Sequence, residues 1–331
     1  MLKKLFVSAW FIFGSLMVGA TEVATYIVNG TNTSTSSYPS YARLYYNEFG
    51  NFGYCGGTFI DATHVLTAAH CVDLNDDDIS EVSLLFTVAI PNLDDEDDIS
   101  NAQLYYIAKF YVHEDYDSSD LSNDIAILEL ESAVNIGSYA EIVTDESSYR
   151  SDGANQTFIA VGHGNTKTNE DDTSVLQQAE LDYLDNLACN DYYGDAGAPD
   201  SQLCMSGEIS HGLRKATCNG DSGGPLYWTD SSNNRQVGIT SYGPADGCGD
   251  ISVVATSVFT EVTDYATWIA NVQAGLVEPT YTTSESDRDY YRQYGVEDAT
   301  EDSSSTSGGS VHFWFSIWLA VLAVGRMRTV E

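Results

Sequence analysis

The chain has 331 residues, 43% of them hydrophobic, with 49 acidic against 13 basic side chains and a formal net charge of −36. That balance excludes the basic face a nucleic-acid binder needs and gives a strongly hydrated surface. His64, His113, His163 and His211 lack a second ligand at metal spacing, so no zinc site is expected.

Residues 1–20 read as an export signal: Lys3 and Lys4 form a basic head, Leu5 to Val18 is apolar, and Val18-Gly19-Ala20 suits a signal peptidase. The apolar run is short for a spanning helix, so removal is expected. It would leave residues 21–26, Thr21 to Tyr26, ahead of Ile27-Val28-Asn29-Gly30. Short apolar or alternating runs follow, such as Val82-Ser83-Leu84-Leu85-Phe86, Ile125-Ala126-Ile127-Leu128 and Gln236-Val237-Gly238-Ile239-Thr240, punctuated by Gly, Asn, Asp and Ser. This is an all-β pattern. Acid clusters at Asp76-Asp77-Asp78, Asp94-Asp95-Glu96-Asp97-Asp98 and Glu170-Asp171-Asp172 lack the spaced ligands and central glycine of a calcium loop and read as solvated loops. One helix is predicted from Glu261 to Gln273, where Val262, Tyr265, Ile269 and Val272 recur at helical spacing. Residues 275–310, rich in Ser, Thr, Asp, Glu and Tyr, read as an extended acidic linker. Residues 311–331 hold an apolar run, Val311 to Val324, and a basic end at Arg326 and Arg328.

Three short motifs carry chemistry. Gly220-Asp221-Ser222-Gly223-Gly224-Pro225 offers a hydroxyl beside a glycine-rich turn that can aim the N–H groups of Gly220 and Ser222 at one spot, an oxyanion hole. A hydroxyl is a weak nucleophile at neutral pH and needs a base and an acid to orient that base. His70, in Leu66-Thr67-Ala68-Ala69-His70-Cys71, and Asp124, in Asn123-Asp124-Ile125-Ala126-Ile127-Leu128, supply them upstream. Their order, His, Asp, Ser, is one of the known triad orders. Six cysteines in an exported chain imply disulfides, and six allow fifteen pairings.

From about Ile27 to about Ala274 the chain resembles the trypsin/chymotrypsin family of serine endopeptidases, through these motifs, Tyr111-Val112-His113-Glu114-Asp115-Tyr116, Gly162-His163-Gly164-Asn165-Thr166 and Ser241-Tyr242-Gly243. His163 departs from the family, which usually has Trp there. The resemblance implies residues 27–274 as one protease domain of two six-stranded antiparallel β-barrels with a C-terminal α-helix. It implies the disulfides Cys55–Cys71, Cys189–Cys204 and Cys218–Cys248, and peptide hydrolysis through an acyl-enzyme by a monomer that needs no cofactor or metal. Its partners would be protein or peptide substrates. It also implies a zymogen in which a protease cuts before Ile27, whose new amine pairs with Asp221. Tyr26 stands where many members have Arg or Lys, so the activator is expected to differ from trypsin.

The implied primary pocket comprises Ala216, Thr217, Ser241, Tyr242, Gly243 and Ser257. Ala216 occupies the place of the acid that gives trypsin its basic preference, so an uncharged apolar or aromatic P1 side chain is expected. Asp246 and Asp250 lie in the following loop, and an acid turned inward would restore basic preference. A non-catalytic binding protein on the same scaffold is the other alternative, although every triad member is present. The tail resembles a bacterial Gly-Gly sorting signal cut by a membrane-embedded protease, with a simple membrane anchor as the competing reading. Either places the protease outside the cell or on its surface.

Overall fold

The computed structural model describes residues 27–48, 51–74, 79–150, 156–170, 173–194, 197–230, 233–244 and 247–295. The signal peptide, the hexapeptide to Tyr26, the Asp76–Asp78 cluster and the apolar tail lie outside the described residues.

Two antiparallel barrels make up the protein, each from six strands that alternate inward apolar and outward polar side chains. The first comprises β1 (Tyr41–Glu48), β2 (Asn51–Phe59), β3 (His64–Thr67), β4 (Val88–Pro91), β5 (Tyr105–Val112) and β6 (Ala126–Leu130). Their order is β5-β4-β1-β2-β3-β6, closed by pairing of β5 with β6. The second comprises β7 (Phe158–Gly162), β8 (Gln177–Leu184), β9 (Gln202–Ser206), β10 (Pro225–Asp230), β11 (Asn233–Tyr242) and β12 (Ser257–Glu261). It runs β8-β9-β12-β11-β10-β7 and closes between β7 and β8. Phe59, Leu66, Ile107, Phe110 and Ile127 fill the first barrel; Phe158, Leu181, Leu203, Leu226 and Phe259 fill the second.

The expected C-terminal helix begins as a 3₁₀ turn, Val262–Tyr265, and continues as an α-helix, Ala266–Gln273. Val262, Tyr265, Ile269 and Val272 are all buried, and they pack on the first barrel although the helix follows the last strand of the second. That crossing clasps the barrels together.

Two expectations are corrected. Val82–Phe86, read as a strand, lies largely in a helix, Glu81–Leu85. Ser80 and Ser83 bond each other's backbone N–H in a capping box, which favours the helical turn over extension. The described part of the supposed linker is folded. Tyr281 and Thr282 add a strand to the first barrel opposite Phe110 and Lys109, and Glu285–Tyr294 is a helix capped by Ser284.

The helix was hidden because its core contact is an arginine. The fully buried Arg288 donates to Glu131, to Glu285 Oε2 at 3.0 Å and to the Leu85 carbonyl at 3.3 Å, and lies 4.2 Å from the centre of the Tyr106 ring. Both carboxylates are partly exposed, which moderates the cost of losing their cation. Arg288→Met is therefore expected to lower unfolding free energy by about 2 kcal/mol in urea titration. An unchanged midpoint would show that the segment adds nothing to the domain.

Candidate active site

His70 and Asp124 come from the first barrel. His70 sits in a 3₁₀ turn, Ala69–Cys71, directly after β3, and the Cys55–Cys71 disulfide ties that turn to β2. Asp124 precedes β6 and is fully buried. Asn123 adopts φ 54° to make the tight approach, and its side chain is held by the Asp115 carbonyl at 2.7 Å and the Tyr265 hydroxyl at 3.0 Å. One Asp124 oxygen accepts the His70 backbone N–H at 2.9 Å; the other accepts His70 Nδ1 at 2.8 Å and Ser241 Oγ at 2.5 Å. Thr260 Oγ1 donates to the Asp124 carbonyl at 2.8 Å. Burial pushes the Asp124 carboxyl upward, but the His70 charge and these hydrogen bonds outweigh it and hold the group below its ordinary range. The carboxylate thus stays ionised and fixes the imidazole.

Ser222 comes from the second barrel and meets the first at a close backbone seam. The Gly56 N–H donates to the Ser222 carbonyl at 2.7 Å, and the Gly223 N–H to the Thr240 carbonyl at 2.8 Å. Gly223, at φ 74°, lies so near Thr67 and Ala68 that a Cβ would stand 2.1 Å from Thr67 Oγ1. Thr67 and Ala68 lead straight into His70, so the absence of a side chain at Gly223 is what lets the turn carrying Ser222 pack against the segment carrying His70. Among the described residues, neither the Gly220 nor the Ser222 N–H is spent on a protein acceptor. Two unspent donors beside a hydroxyl are free to serve an oxyanion.

Asp221 turns inward. Its carboxylate accepts the Gly164 N–H at 2.8 Å and the Cys218 N–H at 2.9 Å. The Gly162-His163-Gly164 turn makes room for it, since a Cβ at Gly162 or Gly164 would fall 2.1 or 2.3 Å from the carboxylate. Ile27 is fully buried and Val28 bridges to Ala216. Among the described residues no cation hydrogen-bonds to the Asp221 carboxylate. Burial accordingly pushes the Asp221 carboxyl up to about 7, against the pull of its two N–H donors and of Arg43.

A pocket of 250 Å³ opens beside Ser222, lined among others by Thr217, Ser241, Tyr242 and Gly243, with the Cys218–Cys248 disulfide in its wall. Ala216 and Ser257, expected in the lining, are both fully buried and do not line it. Ser257 is engaged by Thr217, which donates to its Oγ from the backbone N–H at 2.9 Å and from Oγ1 at 3.0 Å. Asp250 does not line the pocket; its carboxylate accepts the Ser252 N–H and hydroxyl, both at 2.8 Å. Asp246 lies outside the described residues. The third disulfide joins Cys189 and Cys204, which completes the implied pairing.

The other histidines among the described residues have local partners. His64 Nδ1 meets Asp61 at 2.8 Å, His113 Nδ1 accepts the Asp115 N–H at 3.2 Å, and His211 Nδ1 meets Ser210 Oγ at 2.9 Å. His163 is buried against the Tyr41 hydroxyl at 3.1 Å, and desolvation holds its pKa well below the ordinary value, so it is a neutral packing group in the position where Trp is usual. Cys55, His70 and Cys71 cluster closely, but the two sulfurs are bonded to each other and offer no thiolate.

Sequence reasoning missed Arg43 and Glu96. Glu96 sits in the acid cluster assigned to solvent, yet accepts Arg43 Nε at 2.6 Å, while its neighbour Asp94 accepts the Thr35 N–H at 2.6 Å. Asp95 caps the turn Glu96–Asn101. The available signal was an arginine at an inward position of an apolar strand, in a chain with few cations.

A family model described as Trypsin matches residues 27–269. The chain is 34% identical over 270 residues to chymotrypsin-like elastase family member 1 of Canis lupus familiaris, covering 80% of this chain and 98% of that protein. It is 27% identical over 252 residues to fibrinolytic enzyme, isozyme C, of Lumbricus rubellus, covering 74% and 99%. With serine protease grass of Drosophila melanogaster it shares 31% over 269 residues, covering 75% of this chain and 68% of that protein. A twin-barrel fold with a serine at the seam and relatives matched over nearly their whole length leave one conclusion: the chain belongs to the trypsin family and is a serine endopeptidase.

Proposed function

We propose that this enzyme is exported, is made as a zymogen, and cleaves after small or medium uncharged side chains. The observation that carries the catalytic assignment is the seam itself: an ionised, buried Asp124 grips His70 while two unspent N–H groups flank Ser222. In the reaction Ser222 Oγ bonds to the scissile carbonyl carbon as its proton passes to His70. Asp124 stabilises the imidazolium, and the Gly220 and Ser222 N–H groups hold the carbonyl oxygen as it becomes negative. His70 then gives its proton to the leaving amine, and water repeats the sequence on the acyl-enzyme. An organophosphonate is expected to label processed protein at Ser222 and to leave Ser222→Ala unlabelled. Absence of labelling in correctly processed protein would favour the binding-protein reading.

The pocket floor supports the specificity. With Ser257 bonded to Thr217 and a pocket of 250 Å³ whose lining holds no charged side chain, Ala, Val or Leu is expected to fit better than an aromatic ring, and Arg or Lys finds no counter-ion. Elastin-type protein, rich in small apolar side chains, is the first macromolecular substrate to test, given relatives named as elastases. A chromogenic peptide library is expected to rank Ala, Val and Leu above Phe and Tyr at P1, with Arg and Lys last. Clear selection for Arg or Lys would sink this assignment.

Activation at Tyr26–Ile27 is supported by the buried Asp221, which has no cationic hydrogen-bond partner among the described residues, and by Ile27 at φ 43°. Positive φ is costly for a β-branched residue, and that torsion exists only while Tyr26 is attached. Active protein is expected to begin at Ile27, after a cut by an activator that accepts an aromatic residue; any other amino terminus removes the proposal. Among the described residues no helix is long and apolar enough to cross a membrane. Export by residues 1–20 and removal of the apolar tail by a sorting protease complete the reading, and mass spectrometry that finds Trp318 in mature protein would refute the second step.

A further inference from the structure

Gly220 is the softest point of the oxyanion loop. At φ 96° it has the backbone freedom that lets its N–H face the hole, and the same freedom would let it turn away. Both peptide groups flanking it are pinned. The Asn165 N–H donates to the Asn219 carbonyl at 2.8 Å, which aims the Gly220 N–H in the opposite direction, since the two point apart in a trans peptide. On the other side Arg43 Nη1 donates to the Gly220 carbonyl at 2.8 Å.

Arg43 is itself built in. It is 2% exposed, Nε and Nη2 both hold Glu96 Oε1 at 2.6 Å, and its guanidinium lies 4.8 Å from the centre of the Tyr54 ring. It lines a 210 Å³ cleft on one side of Asn219, and the substrate pocket lies on the other. A charge-assisted bond from a buried, counter-charged fork restrains a carbonyl more firmly than a neutral donor does.

We propose that Arg43, anchored by Glu96, is a positioning residue for the oxyanion hole: it fixes the Gly220 carbonyl so that the Gly220 N–H faces the reacting carbonyl oxygen. The inference rests on the assignment of Gly220 and Ser222 as oxyanion donors. It gives a buried ion pair outside the triad a part in transition-state stabilisation.

The test uses the processed full-length enzyme, with active sites counted by a stoichiometric acylating reagent and kcat expressed per active site. Arg43→Gln is expected to lower kcat on a peptide amide about 30-fold with KM within about 2-fold, since removing one oxyanion donor outright costs about 100-fold or more and misdirecting it costs part of that. Arg43→Lys keeps a single donor and is expected to recover part of the loss. A purely structural role would lower the active fraction and leave kcat per site unchanged, and that result overturns the proposal. If Arg43→Gln does not fold, Glu96→Gln, which removes the counter-charge that anchors the fork, is expected to lower the same kcat several-fold, and no change there overturns it equally. An ester and its thionoester separate the two levels, because sulfur accepts hydrogen bonds poorly. A wild-type rate ratio near one would remove the oxyanion assignment itself. A large wild-type ratio that persists in Arg43→Gln would remove only the role of Arg43; the expected result is a ratio that collapses.

Discussion

Asp124→Asn is expected to lower kcat by about four orders of magnitude, roughly 5.5 kcal/mol of transition-state stabilisation, while leaving the fold intact. The reason lies in how the carboxylate is shared. One oxygen faces a backbone N–H of His70, which can only donate, so the Asn carbonyl is drawn to that side. The Asn NH₂ then faces His70 Nδ1, which at present donates to the second oxygen. To accept from an NH₂, Nδ1 must give up its proton, and the neutral ring carries it on Nε2 instead. That is the wrong tautomer for a base that must take the Ser222 proton. Ser241 Oγ, now donating to the same oxygen, can rotate and accept, so the change strands no buried group. The measurements are kcat per active site and thermal midpoint. A loss of about ten-fold or less would mean that Asp124 only packs against His70; a large fall in midpoint would point to structural failure.

The parts of this site that could be read from the sequence are those whose geometry depends on residues adjacent in the chain. Gly220 to Pro225 is one turn, and its glycines announce close backbone approach before any fold is known. The all-β pattern and the helix ending at Gln273 were equally legible, because alternating and helical burial leave their periods in the sequence. The failures share a different cause. Arg43, Glu96 and Arg288 are charged groups whose partners lie far along the chain, and no local pattern distinguishes a cation with a buried partner from a cation in water. The floor of the pocket was misplaced for the same reason. Ser257 and Thr217 are 40 residues apart, and only their hydrogen bonds show that Ser257 is tied to the residue after Ala216. In a chain with 13 basic residues, each buried one was a better candidate for a structural task than the acid clusters that drew attention by their number.

The uncut precursor is expected to become more stable as pH falls from about 8 toward 4, and Asp221→Asn is expected to abolish that part of the response. Asp221 has an ordinary carboxyl pKa of 3.8 when unfolded, and burial raises it to about 7 in the folded chain. Below the unfolded value both states hold the proton and folding is not penalised. As pH rises toward the folded value, the unfolded chain releases its proton while the folded one keeps it, and stability is lost; above about 7 both have released it and the penalty is constant. The full penalty is on the order of 4 kcal/mol. Glu261 is also raised by burial to about 7, so the informative quantity is the difference between wild type and Asp221→Asn, in which that contribution cancels. In the precursor the stability difference should shift in favour of the Asn variant by up to that amount between pH 4 and pH 8, by urea unfolding of protein kept uncut; the acceptor that Asn loses toward Gly164 or Cys218 adds a pH-independent offset. Cutting before Ile27 reverses the logic. A buried ammonium beside the carboxylate favours its charged form, so processed wild type should lose this pH dependence. There Asp221→Asn removes one partner of a buried pair and should cost about 3 kcal/mol or more together with most of kcat. A variant that stabilises the precursor and cripples the product would show that the strain is stored at Asp221 and released by the Ile27 amine. Equal pH profiles for wild-type and variant precursors would place the switch elsewhere.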